Sequence, residues 1–304
     1  MFRKSIKNLF KYLSVYSSER FNNYILVLCF HDINDKPSKF QKKYNLNLKV
    51  DSFKKLLNNL SKNHHFIHPN ELNNNKIIHG RNVLITFDDG FLGSFNNAIP
   101  ILNEFNIPAI YFLNMNSIIN NLPLISSFSS YIEENYSILE NISKDFYLKI
   151  NIEQYNNFFK KYSNLLNEIF LYQGELIKYK DLVQYSHNKN IFFANHLFDH
   201  FNVLNLDYYQ INNLYLKNFR ELKKFKNFIN YFSFPNGIPK IAFTKQQAIY
   251  IKKNFNPYKI FYSSRKFNFR NNYYLERVAI SDDFSNLKYL EYLKLKTKIN
   301  IFNL

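Results

Sequence analysis

Cysteine, glycine and proline are all scarce in this 304-residue sequence, and each scarcity excludes a class of protein. The one cysteine, Cys29, cannot form an internal disulfide, so nothing in the chain requires an oxidising compartment. It lies in the apolar run Ile25 to Phe30, where a small buried hydrophobe is the expected role. Five glycines and eight prolines exclude a fibrous, repeat-built chain. No stretch of about 18 uncharged apolar residues is present, which excludes a membrane-spanning helix. The start lacks a signal-peptide core as well, because Arg3, Lys4, Lys7 and Lys11 interrupt it, so a cytoplasmic location is expected.

Hydrophobic residues make up 46% and aromatics 19%, enough to bury a substantial core. One large domain is the expectation at this length. The formal charge of +17 comes from lysines scattered among Asn, Ile, Phe and Tyr, the composition of an AT-rich coding bias rather than of a binding patch. With no RNA-recognition or helix-turn-helix signature, no nucleic-acid partner is expected. Phe2, Ile6, Leu9, Phe10 and Leu13 recur at helical spacing between basic residues. Residues 1–20 are therefore read as an amphipathic helix, either lying peripherally on the inner face of an anionic membrane or packed on the domain.

The chain is organised around Val83 to Gly90, VLITFDDG, an apolar strand ending in two adjacent carboxylates and a turn glycine. Two buried carboxylates side by side require a cation, a shared proton or open water. Strands are also predicted at Tyr24 to Phe30, His65 to Ile67, Ala109 to Leu113, Ile191 to Ala194, Tyr231 to Phe234, Lys259 to Ser263 and Leu275 to Ile280. Helices are predicted between them: one N-capped by Asp51, then Ser94 to Phe105, Leu176 to His187, Tyr208 to Phe225 and Thr244 to Asn254. Asn34 to Lys49 reads as loop. Residues 117–173 read as a helical insertion over the rim, with a helical patch at Tyr155 to Phe170. The alternation of strand and helix favours a barrel or a doubly wound parallel sheet.

Several predicted strand ends carry polar residues. His31 and Asp32 follow the first strand, Asp88 and Asp89 the central one, His196 and His200 the strand at Ile191, and Pro235-Asn236-Gly237 the next. Two histidines four apart can face one cation from a helical turn or a tight loop, and a carboxylate from another strand end can complete a two-His, one-Asp site. Zinc suits such a donor set, and cobalt, nickel, iron or manganese can also occupy it.

Thr86-Phe87-Asp88-Asp89-Gly90, the His196–His200 pair and Phe232 to Gly237 resemble the first three motifs of the polysaccharide deacetylase family, carbohydrate esterase family 4. Cys29-Phe30-His31-Asp32-Ile33 ahead of TFDDG resembles its circularly permuted branch, which includes poly-N-acetylglucosamine deacetylases. The resemblance runs from about Tyr24 to Ile280. It implies an α/β fold, a distorted (β/α) barrel of about seven strands, with residues 21–304 as the catalytic domain. It implies that Asp89, His196 and His200 hold a divalent metal, that Asp88 is the general base, and that the Asn236 backbone N–H stabilises the oxyanion. No histidine follows His200, so His31 takes the place of the general acid, as in the permuted branch.

The chain departs from the family pattern at Leu197, where Ser or Thr is usual, and in lacking an arginine in the third motif. Arg277 could orient a carboxylate or a sugar, or form a structural ion pair. His64, His65, His68, His79 and His187 have no motif around them. The activity implied is metal-dependent removal of an N-acetyl group from an amino sugar of a glycan or glycolipid precursor, in cell-surface glycan biosynthesis. The alternatives are a deformylase or deacylase of a lipid-linked amino sugar, or a non-catalytic glycan-binding protein on the same fold.

Overall fold

A computed structural model describes residues 23–73, 79–282 and 289–293. The helix expected at 1–20 lies outside the described residues. The strands are β1 (Tyr24–Phe30), β2 (Asp32–Ile33), β3 (Asn47–Leu48), β4 (His65–Phe66), β5 (Arg81–Asp88), β6 (Ala109–Leu113), β7 (Ile191–Asn195), β8 (Phe228–Ser233), β9 (Lys259–Ser263) and β10 (Tyr274–Ala279). Strands β5 to β10 pair in sequence order, all parallel, and β1 pairs with both β10 and β5. The result is a closed seven-stranded barrel with β4 hydrogen-bonded outside the ring. Helices link the strands, the arrangement that parallel pairing imposes.

Side chains alternate along each strand. Ile25 and Val27, Leu84, Ile110 and Phe112, Tyr231, Phe261 and Leu275 form one buried apolar cluster that fills the barrel. Ile67 and Leu72 join it, and Tyr231 Oη donates to Pro69 O at 2.6 Å, so the N-terminal end is plugged. Polar chemistry is left to the C-terminal ends, where loops converge.

Several helices differ from expectation. The segment predicted as Ser94 to Phe105 divides into Leu92–Asn96 and Ala98–Glu104, because Pro100 has no N–H to offer the Asn96 carbonyl. Ile152–Tyr162 and Leu166–Gln173 replace a single helix at Tyr155 to Phe170, and Tyr179–Tyr185 is shorter than expected. The N-cap of Val50–Ser61 is Lys49, with Asp51 in the first turn. Asn34 to Lys49 is not all loop: it contains the helix Lys39–Lys43 and β3, which pairs with β2. The helices between β6 and β7 share an apolar cluster with Leu197, Phe201 and Phe234, which ties them to the site loops. Among the described residues no helix is long and apolar enough to cross a membrane.

Candidate active site

On a regular strand Asp88 and Asp89 would face opposite sides. Asp88 ends β5 pointing into the barrel, and Asp89 then adopts φ 70°. That left-handed residue, followed by Gly90 at φ 87°, turns the chain so that both carboxylates line one cleft. Gly90 has little room for a side chain, since a Cβ there would lie 3.3 Å from Ile118 and Leu113. Both aspartates are almost fully buried.

His196 and His200 sit on a loop after β7, not on a helix. His196 Nδ1 lies 2.8 Å from Ser233 O, so Nδ1–H donates to that carbonyl and Nε2 keeps its lone pair for the cleft. His200 Nε2 is 3.2 Å and His196 Nε2 3.6 Å from Asp89 Oδ1, a buried oxygen with no hydrogen-bond donor. The ligand atoms of Asp89, His196 and His200 all lie within 4.8 Å of one another. Two imidazole nitrogens and one carboxylate oxygen converging in a buried pocket fit a divalent cation of the zinc type, with room for water and substrate on the open side.

Electrostatics separate the two carboxylates. Burial alone would raise Asp88, but the Arg277 guanidinium outweighs it and holds the carboxyl below its ordinary range. For Asp89 the opposition of burial is overcome by the charge of the nearby His200, which brings it far below the usual value. Burial pushes His196 down to about 4 against the pull of Asp88, while at His200 the charge of Asp89 prevails over burial and raises it. Burial thus favours the neutral imidazole at His196, the form able to bind a cation.

The structure answers the question left at Arg277. Its Nη1 donates to Asp88 Oδ1 at 2.7 Å and its Nη2 to Oδ2 at 2.6 Å, with the guanidinium 5.3 Å from the Phe112 ring centroid. Arg277 thus forms an ion pair at the site itself, supplied by β10. Cys29 is buried as expected, and its Sγ also lies 3.6 Å from Asp88 Oδ2. His31 lines the same cleft, with one ring nitrogen within 4.8 Å of both Cys29 Sγ and an Asp88 oxygen. The five histidines without a motif do not line it.

Asn236 closes the cleft opposite, at φ 58°, and its backbone N–H makes no hydrogen bond among the described residues. Gly237 follows at φ 60°, where a Cβ would meet Ser263 Oγ at 2.9 Å. The sequence reading missed a brace beneath the histidine loop. Asn114 Nδ2 donates to the carbonyls of His196 and Leu197, Asn195 Oδ1 accepts from Leu197 N–H, and Asn218 Nδ2 donates to Asn195 Oδ1. It holds Leu197 at φ 62°, a conformation a branched residue adopts only when its surroundings impose it. Leu197 is apolar because it joins the cluster formed with the inserted helices.

A model of the polysaccharide deacetylase family matches residues 75–248, more than half of the chain. The chain belongs to this family. It is accordingly a hydrolase of the amide-cleaving polysaccharide deacetylase type. Among solved structures it is similar to the deacetylase PplD of Streptococcus pyogenes, solved in complex with acetate, with TM-score 0.56 and 16% identity over 89% of this chain and 98% of that one. It is also similar to IcaB from Ammonifex degensii, with TM-score 0.55 and 14% identity over 90% and 97% of the two chains. A de-N-acetylase from Aggregatibacter actinomycetemcomitans gives TM-score 0.55 and 13% identity over 89% and 100%. At these identities the likeness is one of fold. No curated protein matches the chain.

Proposed function

We propose that this protein is a metal-dependent N-deacetylase of an amino sugar in a glycan or glycolipid precursor, with Asp89, His196 and His200 as the metal ligands. The observation that carries the reading is the convergence of those three ligand atoms beside a second carboxylate that is kept ionised by its own arginine. When bound, the cation polarises the acyl group and acidifies water. Asp88, held off the metal by Arg277, accepts the proton of the attacking water. The Asn236 backbone N–H donates to the oxygen on which negative charge develops. His31, on the same cleft, delivers a proton to the amine nitrogen as the carbon–nitrogen bond breaks. Acetate and a free amine are the products.

A second reading, deacylation of a lipid-linked amino sugar, draws on Ile238 and Ile241, each 46% exposed on the loop after Gly237. Ile238 lines the cleft and offers an apolar lip to a lipid tail. Screening N-acetylated and N-formylated amino sugars, free and lipid-linked, for amine release tests both readings. Release from N-acetylated glycans supports the first, release confined to lipid-linked or N-formylated sugars supports the second, and no release from any overturns both.

A further inference from the structure

The cleft of about 370 Å³ has one wall that the reaction does not use. Tyr44 and Tyr147 stand there with ring centroids 4.9 Å apart, edge to face, and Ser126 lies beside them. Tyr147 and Ser126 come from the inserted helices, on Phe146–Lys149 and Ile125–Tyr136. Neither hydroxyl makes a hydrogen bond among the described residues, although both border the cleft.

Hydrogen bonds anchor the segments behind this wall. Tyr44 Oη is 2.8 Å from Ser130 Oγ, which is 2.8 Å from Tyr172 Oη, which donates to Glu134. On the other side, Leu148 O accepts from Asn202 Nδ2 at 2.8 Å and from Asn205 Nδ2 at 2.7 Å. Asn202 stands two residues after His200, and its Nδ2 also donates to Ile241 O at 2.9 Å. One asparagine therefore ties the Tyr147 segment to the metal-ligand loop and to the Asn236 loop. Rigid aromatic faces with free hydroxyls at a fixed distance from a reacting centre are what a pyranose needs: its C–H face packs on a ring while its hydroxyls find partners at the edge.

The geometry points to a saccharide subsite formed by Tyr44, Tyr147 and Ser126, which holds the sugar neighbouring the one that loses its acyl group. The inserted helices then set the selection among glycan chains. This inference rests on the deacetylase reading above. Its test compares acetate release by the full-length zinc-loaded protein and its Tyr147→Ala and Tyr147→Phe variants, on N-acetylglucosamine and on its short linear oligosaccharide. Tyr147→Ala is expected to raise KM for the oligosaccharide about tenfold, with kcat within about twofold, and to leave KM for the monosaccharide unchanged. Tyr147→Phe keeps the ring and is expected to lose less. Unchanged unfolding midpoint and zinc content separate the effect from misfolding. Equal KM for wild type and Tyr147→Ala on the oligosaccharide, or an equal rise on both substrates, overturns the subsite. No acetate from either substrate with wild type overturns instead the deacetylase reading on which it rests.

Discussion

Arg277 and Asp88 face each other across β1, bonded through both terminal guanidinium nitrogens and both carboxylate oxygens. Arg277 is level with Val27, as is Leu84 on the other side, so its side chain climbs past Thr86 to reach Asp88. Only a long side chain with a planar fork can do this, and a lysine would bring the charge without the second bond. In the proposed mechanism this pair marks Asp88, rather than Asp89, as the carboxylate that moves a proton.

Replacing Arg277 by Met leaves a buried carboxylate unpaired, and we expect a loss of about 3–5 kcal/mol of stability at neutral pH. Because the folded Asp88 carboxyl lies below its ordinary value, its contribution is present above that value and is lost as pH falls through the lowered one. Wild type and Arg277→Met should therefore converge in acid. Urea melts at neutral and acid pH check this, and a pH-independent difference would contradict the pairing.

Asp88→Asn removes the proposed base while keeping the shape of the site. Turnover should fall at least about hundredfold with metal content retained. Wild-type turnover in this variant would rule out Asp88 as the base.

His31→Gln tests the proton donor. The loss on an N-acetyl amino sugar should be about hundredfold, and much smaller on an acetyl ester of an acidic phenol, whose leaving group departs without a proton. Equal losses on the two substrates would assign His31 a binding role instead.

Asp32, next to His31, is buried and accepts from Gln41 Nε2 at 2.9 Å, and burial raises its carboxyl to about 6. The folded state then holds this proton more tightly than the unfolded chain, so stability falls as pH rises from the ordinary 3.8 to about 6. Asp32→Asn lacks that slope and should gain on wild type by about 3 kcal/mol across the window. Denaturant midpoints at several pH values measure the gain, and a constant difference would refute it.

Much of this site could be read in the sequence because strand ends announce themselves. Tyr24–Phe30 and Ala109–Leu113 have the boundaries that their apolar runs predict. Asp88, Asp89, the two histidines and His31 line one cleft, each at or just beyond the end of a strand that the sequence predicts. Other features depend on placement in space. Arg277 enters the site through barrel register between strands far apart in sequence, which no local pattern encodes. The turn at Asp89 is a backbone property of one residue. Asn114, Asn195 and Asn218 are inconspicuous in a sequence rich in asparagine, and Tyr147 reaches the cleft only because Asn202 and Asn205 pin its segment.

The proposed function stands on Asp89, His196 and His200 forming a metal site on which activity depends. The most direct measurement is zinc content by elemental analysis, paired with acetate release, for wild type, Asp89→Ala and His196→Ala. About one zinc per chain is expected in the wild type, with loss of both metal and acetate release in each variant. Unchanged zinc occupancy in the variants, or full activity of the metal-stripped wild type, would contradict it.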